Sequence, residues 1–530
     1  MPLNTKHSVQ SIKDPSMVDV IKNRQTEELV IALCGPVGSG TSTVALKIEE
    51  IFCDEYKYKV HIIKISKFIK KHYGIVMDDL RKDTYSYNEY HPNIDYTKDI
   101  SEIDIDVADR ILLLQSAGNI LRIIKAKDIL VQLSINEIVL NRMGENDSDI
   151  GKSIRHVTII DSLKNPEEVE LLQLVYGDMF FLFGVLCPEE TRLNRLVNQK
   201  RVNRNKVNTL VMRDKSDGEK NGQQMLKTII LSDFFVTNID EHSDSLKPNL
   251  ERYLKIMMGN NAVTPLMGEI AMFHAYSASV KSGCMARQVG ASIIDEYGNI
   301  LSTGCNDVPK PKGGLYTAEC GNADNRCMFK YGGKCKNDEQ KDLIFAGIKT
   351  IIKNKIQSDV LTDEIMKDIE DNSRVKNLIE FCRAIHAEMD AIISVVRSGS
   401  SKLKGSSLYC TTYPCHNCAK HIVATGIAKV YYIEPYEKSL APALHDDSID
   451  FNCSNTKDES KTWFIPFEGV GPKKFLQLFH TGERKLNGVR VKYEKDSAKP
   501  NLSVLLDSRT QYESKIVENL QNEGFEIATI

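Results

Sequence analysis

One histidine, one glutamate and two cysteines have the spacing of a catalytic metal site. His386 is followed two residues later by Glu388, and a Pro-Cys-His-Asn-Cys segment supplies Cys415 and Cys418. One imidazole and two thiolates are three of the four donors of a tetrahedral zinc ion, so one position is left for water. A metal held in this way lowers the pKa of its bound water towards neutrality and makes a nucleophile. Glu388 is not needed as a ligand, and it is free to carry protons.

The flanking sequence predicts elements that place these donors at the starts of two helices. Apolar residues recur at helical spacing over residues 384–396, and residues 407–412 form a β-rich strand that leads into a helix at 418–426. The N-terminal dipoles of such helices favour thiolate over thiol. A structural zinc site would need a fourth protein ligand, and a redox Cys-x-x-Cys pair has no use for the upstream histidine and glutamate. The pattern H-x-E followed by P-C-x-x-C is the signature of zinc-dependent nucleobase deaminases.

Composition and charge limit the classes of function. The chain has 530 residues, of which 42% are hydrophobic and 27% charged, as in a soluble protein of several domains. A net charge of −3 does not predict a dominant attraction to nucleic acid or to a membrane. No apolar run is long enough to span a bilayer and the N-terminus lacks a signal peptide core, so we expect a cytoplasmic protein. Most of the 13 cysteines lie from Cys284 onwards, and this clustering predicts metal binding rather than disulfides.

A glycine loop, residues 35–42, follows the first apolar strand and precedes a predicted helix. This order is typical of a P-loop, whose backbone amides and helix N-terminus cradle phosphates. Thr41 occupies the usual lysine position, whereas Ser42 keeps a hydroxyl that can meet Mg²⁺. We therefore predict that the loop binds a nucleotide without efficient phosphoryl transfer; a tight turn without a ligand is the alternative. The residues predicted to form the phosphate site are Gly35, Gly38, Ser39, Gly40, Thr41 and Ser42.

The remainder of the N-terminal half alternates apolar strands with helices. Strands are predicted at 156–161, 180–187 and 233–238, and this alternation predicts a parallel sheet with helices on both faces. Asp161 ends one strand where a P-loop kinase places a metal-assisting acid, although a plain helix cap is an equal alternative. The arginine-rich helix at 189–204 resembles the mobile lid of such kinases, and a solvated basic face competes with this interpretation.

Two domains are predicted. Residues 1–250 form a P-loop nucleotide-kinase-like domain with a parallel sheet, to which we assign a regulatory role. Residues 251–530 contain a helix at 268–282 and strands at 290–295 and 300–304 joined by a turn. With the helices and strands of the metal site, these elements predict an α/β/α sandwich, so the fold class of the whole chain is α/β.

A second cluster of cysteines lies in a glycine- and lysine-rich insertion. It consists of Cys320, Cys327 and Cys335, and Cys382 lies just before the catalytic helix. Four thiolates would make a closed structural zinc site. Free cysteines in a loop are the alternative, but a hydrophilic loop cannot bury three of them in a core.

Further segments resemble a known family. Residues 283–290 read Gly-Cys-Met-Ala-Arg-Gln-Val-Gly, and residues 304–306 read Gly-Cys-Asn. Together with the metal motif, these segments resemble the deoxycytidylate deaminases over roughly the last half of the chain. With the imperfect P-loop domain in front, the whole chain resembles the bacterial antiphage deoxycytidylate deaminases. This resemblance implies a cytidine-deaminase-like sandwich, hydrolytic deamination of dCTP and dCMP, and depletion of dCTP during phage infection.

The resemblance also implies roles for single residues. Glu388 would carry a proton to N3 of the base and then to the leaving ammonia, beside a zinc ion held by the histidine and two cysteines. Asn306 matches the asparagine of the family that contacts the sugar. Arg287 would lie near the phosphate, with structural pairing as an equal alternative. Tyr413 would stack on the base unless it is a core tyrosine. Many members carry a second zinc ion, as the insertion cysteines would.

Three rival functions remain open on the sequence. A polynucleotide cytosine deaminase would need a basic, aromatic groove, and the net charge and the single tryptophan, Trp463, give no sign of one. The complete metal motif weighs against a nucleotide-sensing protein whose deaminase site is vestigial. Thr41, in place of the usual P-loop lysine, weighs against a nucleotide kinase. The expected partners are a deoxycytidine nucleotide, a regulatory nucleotide and further copies of the chain, without a membrane.

Overall fold

The described part of the chain contains two large β-sheets. The computed structural model describes residues 17, 25–74, 76, 106–143, 155–215, 223–239, 246–399, 402–435, 439–451, 460–480, 482, 484–502, 504 and 506–525. Its strands, numbered in chain order, are β1 Leu29–Cys34, β2 Lys59–Lys64, β3 His156–Leu163, β4 Phe180–Leu186, β5 Phe234–Thr237, β6 Gly290–Ile294, β7 Ile300–Cys305, β8 Ser407–Thr412, β9 Lys429–Glu434, β10 Ile449–Asp450, β11 Thr462–Pro466, β12 Gly469–Val470, β13 Lys485–Leu486 and β14 Val489–Arg490.

Helices flank both sheets. Those of the described residues are α1 Thr41–Tyr56, α2 Ile65–Lys71, α3 Val107–Ile124, α4 Ile129–Met143, α5 Pro166–Tyr176, α6 Glu189–Asn194, α7 Arg204–Lys215, α8 Met225–Ile229, α9 Leu246–Met257, α10 Met267–Ser279, α11 Lys336–Ile356, α12 Asp359–Asn372, α13 Ala387–Arg397, α14 His416–Thr425, α15 Ala441–Leu444, α16 Phe475–Phe479 and α17 Leu506–Asn522. In the part of the chain that the structure covers, none of these helices combines the length and the apolar character needed to cross a bilayer.

The first sheet has the strand order β12-β5-β4-β1-β3-β2. Its strands are parallel except β12, which runs antiparallel to β5. Every residue of β1 is buried, and one apolar cluster covers each face of the sheet. Parallel strands are expected to be apolar throughout because helices cover both faces. The prediction of an α/β fold with a parallel sheet is confirmed.

The glycine loop leaves the carboxyl end of β1, between β3 and β4. Strands β2 and β3 lie on one side of β1, whereas β4 and β5 lie on its other side. The carboxyl end of β1 is therefore a topological switch point. Ligands of open α/β sheets bind at such points. Gly40 lies at φ 84° immediately before α1, a left-handed conformation that suits glycine.

The second sheet has the order β10-β11-β9-β8-β6-β7. β6 and β7 form an antiparallel hairpin, and β8 is antiparallel to β6. The four strands β8, β9, β11 and β10 are parallel to one another. α13 and α14 pack on one face, in a cluster that includes Ile293 and Leu408, and α10 packs on the other face against Tyr409. The sheet therefore lies between two layers of helices and positions the starts of α13 and α14.

The C-terminal segment, residues 469–525, returns to the first sheet. β12 extends that sheet at β5, and Lys474 donates from Nζ to the carbonyl oxygen of Phe180 at 2.5 Å. α17 packs on α4, where Arg142 binds Glu513 at 2.8 Å and Glu28 at 2.9 Å. The predicted division between residues 250 and 251 stays a prediction. We call the first sheet with its helices the first unit and the second sheet with its helices the deaminase unit, and we propose that this segment belongs to the first unit.

Glu269 links the two sheets. Its carboxylate is buried and binds the guanidinium of Arg252 on α9 at 2.7 and 2.8 Å. It also accepts hydrogen bonds from the amides of Leu266, at the start of α10, and of Val470 in β12. Because a buried charge is retained only when it is paired and hydrogen-bonded, this contact fixes α10 against the first unit.

Candidate active site

Three donor atoms converge at the starts of α13 and α14. His386 caps α13 and Cys415 caps α14, both in extended backbone conformations, and Cys418 lies in the first turn of α14. Nδ1 of His386 is 3.3 Å from Sγ of Cys415 and 3.3 Å from Sγ of Cys418. The ligand atoms of the three residues all lie within 4.8 Å of one another. The structure therefore brings together the donors that the sequence singled out.

Local packing explains why α13 begins at Ala387. The amide of Ile385 donates to the carbonyl oxygen of Asp307 at 2.9 Å, so the chain is still extended there. Gly304 in β7 lies directly under the helix, and a Cβ at this position would be 2.3 Å from the carbonyl oxygen of Ala387. Asp390 accepts from the amide of Cys305 at 3.1 Å. These contacts hold the first turn of α13 against β7.

The donor set has the electrostatics of a cation site. A hydrogen bond from Cys418, supported by His386, lowers the pKa of Cys415 to about 4. The same thiolate raises the pKa of His386 to about 9. Within the described residues, the group of potential ligands has these three members. Two sulfurs and one nitrogen at these distances fit zinc, with one coordination position left for water or substrate.

Glu388 lies in the first turn of α13 and is 4% exposed. Burial raises the pKa of its carboxyl group, since desolvation disfavours the charged form. A carboxyl group with a raised pKa can accept a proton and release it again near neutral pH. Glu388 shares a cavity of about 290 Å³ with His386 and Cys415.

The predicted substrate residues also line this cavity. Asn306 accepts from the amide of Val289 at 2.7 Å and donates to the carbonyl oxygen of Arg287 at 2.9 Å, so its amide is held in one orientation. The ring of Tyr413 contacts the rings of Tyr432 and Phe464. Among the described residues, no group makes a hydrogen bond with the buried hydroxyl of Tyr413. The structure thus gives Tyr413 a core contact and an unsatisfied polar atom at the cavity wall.

Arg287 lies at the mouth of the same cavity and is half exposed. Its guanidinium binds Glu434 at 3.2 Å. The segment with helices α11 and α12 lies between β7 and α13 and forms another part of the wall. Lys341 on α11 and Lys376 after α12 line the cavity. Sequence reasoning did not select these two lysines, because only the fold shows that the insertion reaches the cavity.

Comparisons with known proteins agree with this geometry. Residues 268–434 match the family described as the cytidine and deoxycytidylate deaminase zinc-binding region. The deoxycytidylate deaminase of Enterobacteria phage T2 is 36% identical over 167 residues, which are 31% of this chain and 78% of the phage protein. That of Enterobacteria phage T4 is 34% identical over 31% of this chain and 76% of its own length. The chain belongs to the deoxycytidylate deaminase family. It is therefore a hydrolytic deaminase.

A solved structure is similar in fold only at a low level. The dCMP deaminase of cyanophage S-TIM5, in complex with dCMP and dUMP, is 21% identical with a TM-score of 0.23 and covers 38% of this chain and 98% of its own. The family assignment depends on the phage relatives.

The second cysteine cluster of this deoxycytidylate deaminase stays a prediction as a metal site, since among the described residues no three of its sulfurs lie within 4.8 Å of one another. Cys327, Cys335 and Cys382 line one small cleft, and the fourth cysteine of that cleft is Cys284. Cys320 lies outside the cleft lining, in the 3₁₀ segment Ala318–Ala323. A hydrogen bond with Cys382 lowers the pKa of Cys284 to about 6. The position of Cys284 in a Gly-Cys-Met-Ala-Arg segment was the available sequence signal.

The glycine loop of this deoxycytidylate deaminase borders a separate cavity of about 450 Å³. Gly35, Gly38, Gly40, Thr41 and Ser42 line it, and Ser39 does not. The hydroxyl of Ser42 donates to the carboxylate of Asp161 at 2.5 Å, so the two candidate Mg²⁺ ligands of the sequence lie side by side. The nucleotide-binding role of the loop stays a prediction.

Proposed function

We propose that this enzyme converts dCMP and dCTP to dUMP and dUTP by hydrolytic deamination at C4 of the cytosine ring. The observation that supports it most directly is the placement of Glu388 beside the three metal donors at the base of a cavity with cations at its mouth. Zinc, when bound, supplies a Lewis acid that makes water acidic enough to attack the ring. Water contributes its oxygen to C4, the C4–N bond breaks, and ammonia leaves.

Glu388 carries the protons of this reaction. It accepts one proton from the attacking water and passes it to N3. It then takes the second proton of that water from the new hydroxyl group at C4 and gives it to the amino group, which leaves as ammonia. Its burial keeps other water away from the carboxyl group, so the proton returns to the substrate. Asn306 presents a fixed amide to the sugar, and Tyr413 closes the base site. The cavity of about 290 Å³ has the size of a small-ligand site.

The mouth of the cavity favours a phosphorylated substrate. Lys341 binds Asp338 at 2.7 Å, and Lys376 donates to the carbonyl oxygen of Asp371 at 2.7 Å. An ion pair near the surface contributes about 0–1 kcal/mol and a hydrogen bond about 0.5–1.5 kcal/mol, so a phosphate can replace both partners at low cost. We therefore assign Lys341, Lys376 and Arg287 to the phosphates.

We expect the double substitution Lys341→Gln and Lys376→Gln to raise KM for dCTP about 100-fold or more, since each of the two hydrogen bonds to a charged group contributes about 1.5–3 kcal/mol. Deamination of deoxycytidine should change little. The matched control is Lys349→Gln with Lys353→Gln, which removes two exposed lysines of the same helix outside the cavity lining. An equal loss on deoxycytidine would assign the lysines to the fold instead.

We also propose a closed structural zinc site formed by Cys284, Cys327, Cys335 and Cys382. Its support is the shared cleft. Among the described residues no three of these sulfurs lie within 4.8 Å of one another, so zinc would have to draw them together. Elemental analysis of purified protein should give a second zinc ion per chain. We expect Cys284→Ser to lose that ion and Cys320→Ser to retain it. Loss of zinc in Cys320→Ser alone would restore the set predicted from sequence.

Regulation is assigned to the first unit. The glycine loop at the switch point, the cavity beside it and the Ser42–Asp161 pair support binding of a nucleotide with Mg²⁺. Thr41 offers no charge for phosphoryl transfer, which depends on electrostatic stabilisation. The contact through Glu269 supports transmission to the deaminase unit. In this proposal the enzyme depletes dCTP in antiviral defence, and nucleotide binding restrains it. Cytoplasmic location and self-association stay predictions.

This regulatory role is tested by deamination of dCMP with and without Mg²⁺ complexes of ATP, GTP and the three deoxynucleoside triphosphates other than the proposed substrate dCTP. At least one should change the rate without being hydrolysed. If none changes it, the regulatory role has to be abandoned. Rapid phosphoryl transfer would favour a nucleotide kinase.

A further inference from the structure

A carboxylate of the protein occupies the glycine loop. The amide of Val37 donates to Oδ2 of Asp214 at 2.6 Å. Asp214 belongs to α7, is 1% exposed and is separated from Val37 by 177 residues in sequence. Amides of such loops are the usual donors to phosphate oxygens. Asp214 therefore lies where an anionic ligand would accept a hydrogen bond.

Lys164 supplies a positive charge at the same place. Its Nζ is 2.8 Å from Oδ1 of Asp214 and 2.8 Å from the carbonyl oxygen of Gly35. It follows β3 and lines the cavity of about 450 Å³. The loop itself has Thr41 in the position of the usual lysine. Lys164 thus places an ammonium group at the loop from a different strand.

Two arginines that line the cavity are held by other groups. Arg122 binds the buried carboxylate of Glu168 at 2.6 Å. Arg195 donates to the backbone carbonyl oxygens of Ser39, Asn238 and Ile239. Lys164 differs from them because its carboxylate partner, Asp214, also accepts a hydrogen bond from the loop amide of Val37. An incoming phosphate would replace Asp214 at both donors in one exchange.

The loop retains an unused donor in this arrangement. Ser39 is 1% exposed, and among the described residues its hydroxyl has no hydrogen-bond partner. Its Oγ lies 2.6 Å from where a Cβ on Gly35 would be, so it lies over the start of the loop. A buried hydroxyl without a partner is unfavourable, but Ser39 does not line the cavity, and the exchange at Val37 and Lys164 does not depend on it.

We propose that Asp214 is a built-in competitor for the phosphate of a Mg²⁺-bound nucleoside di- or triphosphate, and that Lys164 is the phosphate ligand that replaces the missing loop lysine. When phosphate binds, Lys164 exchanges one anion for another and stays paired. Asp214 must then enter water, so the end of α7 detaches from the loop. This inference depends on the proposed nucleotide-binding role of the loop and adds how the site opens.

Titration of the full-length chain with Mg²⁺-pyrophosphate by isothermal titration calorimetry tests the exchange. We expect Asp214→Asn to bind about 10- to 100-fold more tightly than the wild type, the equivalent of one charge-assisted hydrogen bond. Lys164→Gln should lose binding. The matched controls are Lys127→Gln and Glu167→Gln, which neutralise an exposed ion pair outside the cavity lining and should bind as the wild type does. Equal affinity in all five proteins would overturn the proposal.

The variants can fail to fold, because removal of one partner of a buried ion pair is strongly destabilising. In that case hydrogen exchange of the wild type tests the displacement of Asp214. Pyrophosphate should slow exchange in residues 35–42 and accelerate it in residues 204–215. Slower exchange in both segments, or no change in either, would contradict displacement of Asp214. Deamination of dCMP is measured in the same samples. Pyrophosphate that binds to the loop without changing that rate would argue against the regulatory role and leave the exchange intact.

Discussion

The substitution Glu388→Ala will abolish deamination and leave the zinc content unchanged. General acid–base catalysis contributes about 10²–10⁴-fold to a rate, and Glu388 serves several proton transfers in one turnover, so we expect a loss at the upper end of that range or beyond. Its side chain is not one of the three converging metal donors. Steady-state rates with dCMP and elemental analysis of the same preparation measure the two effects separately.

Glu364→Gln is the control for this substitution, because it neutralises an exposed carboxyl group on α12 and should have the wild-type rate. A Glu388→Ala protein that kept most of its activity would require another proton carrier. Loss of zinc together with activity would instead give Glu388 a role in the metal site.

Removal of one sulfur donor will reduce both activity and catalytic zinc to background. Cys415→Ala and Cys418→Ala each leave two of the three donors, too few to hold zinc tightly. Cys410→Ala is the matched control, since it removes a fully buried thiol in β8 that is not part of the donor group.

Zinc content by elemental analysis and turnover of dCMP provide the measurements. A Cys415→Ala protein that deaminated at the wild-type rate would contradict the metal assignment. An equal loss in Cys410→Ala would attribute the effect to packing of the core.

The metal site was predictable because its signal is local. His386 and Glu388 are two residues apart, and Cys415 and Cys418 lie at the start of one helix, so the spacing alone places the members of each pair together. The known order of the two motifs in zinc deaminases joins the pairs. The parallel sheet was predictable for a similar reason, as β1 is apolar along its whole length. The predicted helix at 384–396 begins three residues late, at Ala387, because Ile385 is still paired with Asp307.

Other features depend on contacts between distant segments. Cys284 shares a cleft with Cys327, Cys335 and Cys382, which are distant from it in sequence, whereas spacing favoured Cys320. The return of residues 469–525 to the first sheet has no periodic signature, since β12 has two residues. Periodicity reports which face of an element is buried and not which element covers it.

Deamination assays on a panel of cytosine compounds test the central claim most directly. The purified chain is incubated with dCMP, dCTP, CTP and single-stranded DNA, and conversion to the uracil product is followed for each. We expect conversion of the deoxycytidine nucleotides, lost in Glu388→Ala, and no conversion of single-stranded DNA. Conversion of DNA with both nucleotides left intact would contradict the account.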